Sequence, residues 1–217
     1  MKPQLVIFDC DGVLVDSESI SSTVLAQTLT SCGLPTTTAD ARRDYEGLLL
    51  RDIDARARAK LGGALADDWL ERFQAERARV FRRELEPVSG AAEAVESIVA
   101  DGVHVCVASQ GTIEKTRLSL ELTGLDRLFS EELLFSAWLV ERGKPFPDLF
   151  LHAAATIGVE PSRCAVVEDS VSGVTAAVAA GMRTIGYAAR GDGAELRQAG
   201  AEVVGSMRAV PGVLGLG

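Results

Sequence analysis

LVIFDCDGVLVDSE, residues Leu5–Glu18, carries the clearest structural pattern in this chain. Its first four residues are an apolar run bounded by polar residues, which is typical of a strand buried on both faces of a parallel sheet. Asp9 and Asp11 come directly after this run. Because open α/β sheets bind ligands outside the carboxyl ends of their strands, we expect these two carboxylates at a ligand-binding edge.

The spacing of Asp9 and Asp11 is compatible with a bound cation. Two carboxylates one residue apart repel each other unless a cation or a shared proton compensates their charge. Hard oxygen ligands beside a tight turn at Gly12 favour Mg²⁺, which commonly binds one or two carboxylates together with a substrate phosphate. Taken alone, the pattern is more typical of a solvated acidic turn that closes a strand. Polar residues elsewhere in the chain reverse that preference.

The composition is that of an ordinary globular protein. The chain has 217 residues, of which 47% are hydrophobic and 24% charged. This is enough for one large core, or for a core with a smaller inserted domain. The net charge of −9 disfavours binding to nucleic acid and to anionic membranes. An anionic substrate would therefore need a local cluster of cations or a metal ion.

Cysteine usage and targeting signals predict the compartment of the protein. The four cysteines form no CxxC pair, and three lie in or beside apolar strand-like runs, so we expect buried, reduced thiols. No signal-peptide pattern precedes Leu5, and no apolar run approaches membrane-spanning length. These features predict a cytoplasmic protein, which we expect to be a monomer.

Hydrophobic patterns divide the chain into two parts. After the first strand there is little strand character up to Pro87, and Trp69 and Phe73 recur at helical spacing. From Gly90 onward, helices alternate with short strands such as Val103–Ala108, which predicts a parallel sheet with right-handed crossovers. We therefore predict an α/β core from residues 1–16 and 88–217, with residues 17–87 inserted as a small all-helical domain.

Polar residues follow four predicted strands, and a parallel sheet brings these strand ends to one edge. Besides the first acidic pair, they are Ser109, Gln110 and Gly111 after the second strand, Lys144 in a GKP turn after the third, and Glu168 and Asp169 after the fourth. Each has a simpler interpretation alone: Ser109 as a helix cap, Lys144 as a surface lysine, and the last two acids as a solvated strand end. Their convergence favours a single site.

This set of residues supplies what phosphoryl transfer requires: an in-line nucleophile, a metal ion, and donors around the equatorial oxygens. In this interpretation Asp9 attacks phosphorus and forms an aspartyl phosphate. Asp11 protonates the departing oxygen and then removes a proton from the attacking water. Asp169, with Glu168, completes a Mg²⁺ site formed with Asp9 and the carbonyl of Asp11.

The phosphate is expected on the turn after the second strand. Ser109 and the amides of the turn at Gln110 and Gly111, where a helix begins, hold it. Lys144 offsets the charge of Asp9 and of the phosphate.

Four segments of the chain resemble, in order, the four signature motifs of the haloacid dehalogenase superfamily. They are FDCDGVLVDSE, VASQG, GKPFPDLF and VVEDSVSGVTAAVAAGM. They are most similar to the branch of sugar-phosphate phosphatases and β-phosphoglucomutase-like enzymes, in which a helical cap is inserted after the first motif. The resemblance implies a Rossmann-like core, a helical cap over residues 17–87, and Mg²⁺-dependent hydrolysis of a small phosphorylated substrate, with a sugar phosphate as the favoured class.

Departures from the family pattern narrow the activity. Dehalogenases lack the second acid and phosphonatases carry a different segment there, so Asp11 argues against both. Mutases of this branch have a histidine where Ser21 and Ser22 lie, and their arginine-containing cap loop is only loosely matched by GLLLRD with Arg51. A hexose-phosphate mutase is therefore the alternative to a phosphatase. Gln110 stands where a small residue or Asn is expected, which leaves its contact with phosphate or cap open.

A non-enzymatic alternative is a signalling receiver module, which also phosphorylates an aspartate beside Mg²⁺ and a lysine. Receivers are much shorter and place that aspartate after a central strand of the chain, whereas Asp9 follows the first strand and precedes a long helical insert. Within the insert, Arg42, Arg43 and Arg51 are candidates for binding a second anionic group of a substrate. Solvated helix faces are the more usual place for such arginines.

Overall fold

The computed structural model describes residues 2–45, 48–62, 65–189 and 191–217. They form two compact units: one contains the chain up to Val15 together with Pro87–Gly217, and the other is Asp16–Glu86. We call the first the core unit and the second the helical unit. Their boundaries lie one residue before those expected from the sequence, and the role of the helical unit as a cap stays a prediction.

The core unit is built on a parallel sheet, which confirms the predicted α/β class. Its strands in the described residues are β1 (Leu5–Phe8), β2 (His104–Ser109), β3 (Leu134–Ser136), β4 (Cys164–Glu168), β5 (Arg183–Tyr187) and β6 (Glu202–Val204). Their order across the sheet is β3-β2-β1-β4-β5-β6, and every neighbouring pair is parallel. The first strand in the chain is therefore central in the sheet.

The apolar run of β1 accounts for its central position. Leu5, Val6, Ile7 and Phe8 are all 0% exposed, as expected for a strand covered on both faces of the sheet. Full burial of a large apolar side chain stabilises a fold by about 1.5–3 kcal/mol. The residues that follow this strand are thus anchored to the most deeply buried part of the sheet.

Helices lie between successive strands of the core unit, and one further helix follows the last strand. They are α5 (Ala91–Ala100), α6 (Ile113–Thr123), α7 (Asp148–Ile157), α8 (Val171–Ala179), α9 (Ala194–Gln198) and α10 (Val210–Val213). α6 ends at Gly124, which has the left-handed conformation (φ 69°) common at helix ends.

The helical unit has its own apolar core. Its helices are α1 (Glu18–Ser31), α2 (Thr38–Tyr45), α3 (Leu50–Leu61) and α4 (Trp69–Glu84). Trp69 and Phe73 are 0% and 1% exposed, so the helical spacing read from the sequence identifies the buried face of α4. Asp67 and Asp68 form a turn directly before this helix.

Among the described helices, none combines the length and the apolar character needed to cross a membrane. All four cysteines are free, and Cys10, Cys106 and Cys164 are buried, as expected from the sequence. The cytoplasmic location and the monomeric state stay predictions.

Candidate active site

The carboxyl ends of β1, β2 and β4 lie side by side because the strands pair in register. Phe8, the last residue of β1, is level with Val107 of β2 and with Val167 of β4. The backbone N–H of Asp9 donates to the carbonyl oxygen of Val167 at 3.0 Å. The residues that follow these three strands therefore meet at one edge of the sheet.

Lys144 joins the ends of these strands through its ammonium group. Its Nζ lies 2.6 Å from Asp9 Oδ1 and 2.6 Å from Glu168 Oε1, and it donates to the carbonyl oxygen of Ala108 at 3.1 Å. The side chains of Lys144, Asp9 and Glu168 are 3%, 10% and 1% exposed. An ammonium group has three donors, and here each meets an acceptor, so the orientation of the lysine is fixed.

Burial and charge oppose each other in this cluster. Burial raises the pKa of Asp9 to about 7 against the opposing charge of Lys144, and Glu168 and Asp11 add to the increase. Burial alone would lower the pKa of Lys144, but the carboxylates of Asp9 and Glu168 raise it above its usual value. The lysine is therefore charged at neutral pH, and a cation beside Asp9 would favour the ionised form of that carboxyl group.

Glu168 is held from the opposite side by the start of α8. Its Oε2 accepts hydrogen bonds from the backbone N–H and the hydroxyl of Ser170, at 3.0 and 2.9 Å. The same hydroxyl accepts from the N–H of Gly173 at 3.0 Å. A Cβ atom at Gly173 would lie 1.8 Å from Glu168 Oε1. The carboxylate thus occupies the space that a side chain at position 173 would fill.

Three carboxylates at this edge lie close enough together to bind one metal ion. One oxygen from each of Asp9, Glu168 and Asp169 lies within 4.8 Å of the others. Hard oxygen donors of this kind fit Mg²⁺. Because both oxygens of Glu168 already accept hydrogen bonds, Asp9 and Asp169 are the better candidates for direct ligands.

The turn at Gly12 is adapted to the neighbouring acid. A Cβ atom at this position would lie 1.9 Å from Asp169 Oδ2, and the residue has a φ of +76°. Two features therefore favour glycine at position 12: the left-handed backbone and the close approach of the Asp169 carboxylate.

Asp11 forms an ion pair with Lys115 that the sequence analysis missed. Lys115 lies in the first turn of α6, and its side chain is 11% exposed. A cation is unfavourable in the first turn of a helix, which was the available signal that an anion lies nearby. The Asp11 carboxylate is outside the ligand group found among the described residues, and the metal contact of its carbonyl stays a prediction.

The turn after β2 is fixed by hydroxyl groups. Ser109 is 0% exposed, and its Oγ accepts a hydrogen bond from the N–H of Gly111 at 3.0 Å. Ser136 Oγ donates to the carbonyl oxygen of Gly111 at 2.6 Å. The cap of α6 is Thr112, whose hydroxyl accepts from the N–H of Lys115. Thr112, and not Ser109, therefore caps α6. The Ser109 hydroxyl also has a proton to donate.

The structure brings four of the predicted site residues into one cluster: Asp9, Lys144, Glu168 and Asp169. The side chain of Gln110 is hydrogen-bonded to the main chain of Lys144. The phosphate contacts expected of Ser109, Gln110 and Gly111 stay predictions, as does the proton transfer expected of Asp11.

Comparisons with known proteins identify the family to which this chain is similar. The family model of the haloacid dehalogenase-like hydrolases matches residues 3–181. The chain is 33% identical over 187 residues to 6-phosphogluconate phosphatase of Escherichia coli, and the match covers 86% of this chain and 83% of that protein. It is 32% identical over 181 residues to hexitol phosphatase B of Escherichia coli, covering 82% of this chain and 81% of that one.

Solved structures show the same fold. A conserved haloacid dehalogenase-like protein from Agrobacterium tumefaciens has a TM-score of 0.80 and 33% identity, and the match covers 98% of this chain and 97% of that one. A haloacid dehalogenase family hydrolase from Deinococcus radiodurans, with bound phosphate and sodium, has a TM-score of 0.77 and 30% identity, over 98% and 95% of the two chains. The relatives named as phosphatases support phosphatase activity. The chain belongs to the haloacid dehalogenase-like hydrolase family.

Proposed function

We propose that this protein is a Mg²⁺-dependent phosphatase that hydrolyses a small phosphorylated metabolite, with a sugar phosphate or sugar-acid phosphate as the favoured class. The observation that carries the proposal is the buried cluster of Asp9, Lys144 and Glu168 with Asp169 at one edge of the sheet. The relatives named 6-phosphogluconate phosphatase and hexitol phosphatase B support the substrate class.

Asp9 is the nucleophile in this mechanism. One of its oxygens forms a bond to phosphorus while the bond from phosphorus to the alcohol oxygen of the substrate breaks, which gives an aspartyl phosphate. Asp11 donates a proton to the departing alcohol oxygen. It then accepts a proton from a water molecule that attacks the phosphorus, and this second displacement releases inorganic phosphate and restores the carboxylate of Asp9.

The surrounding residues hold the anionic groups. Lys144 keeps a positive charge beside Asp9 and so limits the repulsion between the nucleophile and the phosphate oxygens. Ser109 and the N–H groups at the start of α6 are donors for the same oxygens. A Mg²⁺ ion held by Asp9 and Asp169, with Glu168 beside them, would supply further positive charge for the transferring phosphoryl group.

The test is hydrolysis of p-nitrophenyl phosphate by the wild-type protein with Mg²⁺ and with EDTA. We expect turnover that EDTA abolishes and that Asp9→Asn reduces to background. Asp126→Asn, which changes an exposed acid of the core unit, is the matched control and should leave turnover unchanged. Turnover that persists in Asp9→Asn or in EDTA would contradict the proposal.

A panel of sugar phosphates, sugar-acid phosphates and phosphoglycolate then identifies the substrate class. The mutase alternative is separated by phosphorus NMR with β-glucose 1-phosphate and a bisphosphate activator. A phosphatase releases inorganic phosphate in this assay, whereas a mutase converts the sugar phosphate into its isomer. The receiver alternative predicts stable phosphorylation by acetyl phosphate without turnover.

A further inference from the structure

The side chain of Gln110 makes a paired contact with the main chain of Lys144. Gln110 Nε2 donates to the carbonyl oxygen of Lys144 at 3.3 Å, and the N–H of Lys144 donates to Gln110 Oε1 at 3.1 Å. The carboxamide of Gln110 therefore both donates to and accepts from the main chain of Lys144. The two partners lie 34 residues apart in the sequence, so this contact links the turn after β2 to the loop that precedes α7.

The neighbouring glycine of the GKP turn provides the space for this contact. A Cβ atom at Gly143 would lie 2.5 Å from Gln110 Oε1 and 3.3 Å from Ala137 Cβ. Contacts below 3 Å require one of the two groups to move. The lack of a side chain at Gly143 therefore leaves room for the carboxamide of Gln110, which a larger residue at position 143 would displace.

Lys144 is held at both of its ends. Its ammonium group contacts Asp9, Glu168 and the carbonyl oxygen of Ala108, while its backbone is held by Gln110. A lysine side chain has four rotatable methylene units, and a free one samples many positions. Fixing the backbone sets the point from which the side chain reaches the nucleophile.

We propose that Gln110 is a positioning residue for the active site: its side chain acts through Lys144 and makes no essential contact with the substrate. This inference rests on the proposed function for its catalytic consequence. Only a carboxamide of this length makes both contacts, because glutamate lacks the donor for the carbonyl oxygen of Lys144. Asparagine is one methylene shorter.

The first test compares Gln110→Met, which keeps the length and removes both hydrogen bonds, with the wild-type protein. A misplaced catalytic group costs about 10- to 100-fold in rate, so we expect kcat to fall by about that factor while KM changes little. Gln110→Glu retains only the acceptor, so its kcat should lie between those of Gln110→Met and the wild-type protein. Gln198→Met, at an exposed glutamine of α9, is the control and should behave as wild type.

A double-mutant cycle with Lys144→Ala then separates positioning from general destabilisation. If Gln110 acts through the lysine, Gln110→Met should have little further effect on kcat once Lys144 is removed. An equal loss of kcat in both backgrounds would overturn the proposal. So would an increase in KM with unchanged kcat, because that result indicates a direct substrate contact.

A measurement that does not use activity keeps this inference separate from the proposed function. Amine-reactive labelling followed by mass spectrometry compares Lys144 with Lys2, whose side chain is 52% exposed. We expect Lys144 to label slowly in the wild-type protein and several-fold faster in Gln110→Met and in Gly143→Ala. Gly205→Ala, where an added Cβ meets nothing within 4 Å, is the control. Unchanged labelling of Lys144 would contradict its positioning by Gln110, whatever the enzyme hydrolyses.

Discussion

Charged residues at the carboxyl edge of the core sheet pair differently from those of the helical unit. At the edge, Lys144 pairs with Asp9 across 135 residues of sequence, and Lys115 pairs with Asp11 across 104. These lysine side chains are 3% and 11% exposed. Desolvating such charges costs several kcal/mol unless their partners are well placed, so the fold has to bring distant residues together to hold them.

In the helical unit, the ion pairs are mostly local and exposed. Arg43 pairs with Asp40 one turn away, and its side chain is 66% exposed. Arg79 pairs with Glu76 in the same manner, at 58% exposure. Exposed pairs of this kind contribute little to stability. Arg43 and Arg51, whose side chains are 66% and 57% exposed, fit the solvated helix faces considered for them. The proposed chemistry lies instead at the sheet edge, where the side chains of the paired lysines are largely buried.

Among the substitutions that test this contrast, Lys144→Ala is expected to have the largest effect. This change leaves Asp9 and Glu168 buried without a shared cation, and breaking a buried pair typically costs about 3–5 kcal/mol. We expect kcat/KM to fall by about 10³-fold, the scale of removing a preorganised electrostatic group. Chemical denaturation and steady-state kinetics measure the two effects.

Lys60→Ala is the matched variant in the helical unit. Lys60 pairs with Asp44 at 3.0 Å with its side chain 41% exposed, and its removal should leave stability nearly unchanged. Equal destabilisation by the two substitutions would contradict the contrast between buried and exposed pairs.

Gly173→Ala should produce the next largest effect. The added methyl group would overlap the carboxylate of Glu168 and displace it from Lys144 and Ser170. We expect kcat to fall about 10- to 100-fold, as for other misplaced groups of an active site. Turnover of p-nitrophenyl phosphate measures the loss. Gly205→Ala should have normal kinetics, and a similar loss in both variants would show that the approach of Glu168 is not the cause.

Mg²⁺ binding should depend on pH through Asp9. Because the pKa of this carboxyl group is raised from 3.8 to about 7, the metal-free folded protein holds a proton there between these values, and a bound cation must displace it. The affinity for Mg²⁺ should therefore fall by about tenfold for each pH unit below 7 and become independent of pH above 7. Calorimetric titration from pH 5.5 to 8 checks this, and the Asp9→Asn variant should lose the dependence.

The smallest effect is expected from Arg79→Ala. Its partner Glu76 is one turn away on an exposed face of α4, so neither the denaturation midpoint nor kcat should change measurably. A clear loss of activity would show that exposed charges of the helical unit also serve the reaction.

Much of the fold and the cluster could be predicted from the sequence because both follow from short-range patterns. The apolar run of β1 fixes a central parallel strand, and parallel strands present their carboxyl ends at one edge. Asp9, Lys144, Glu168 and Asp169 meet there for that reason.

The contacts between these residues could not be predicted in the same way. The pairing of Lys115 with Asp11, the contact of Gln110 with Lys144 and the approach of Glu168 to Gly173 depend on loop paths and side-chain directions. Hydrophobic periodicity carries no information about loop paths or side-chain directions. The lysine in the first turn of α6 was a usable signal, because a cation there is slightly unfavourable and a nearby anion offsets that cost.

We propose that Asp9 receives the phosphoryl group, in a site shared with Lys144 and Asp169. The most direct measurement is rapid acid quenching of the wild-type enzyme during turnover, followed by peptide mapping with mass spectrometry. We expect a phosphoryl group on the Asp9 side chain of the peptide that contains this residue, and no phosphoryl group there in Asp9→Asn. Steady turnover with the phosphoryl group on another residue, or on none, would contradict it.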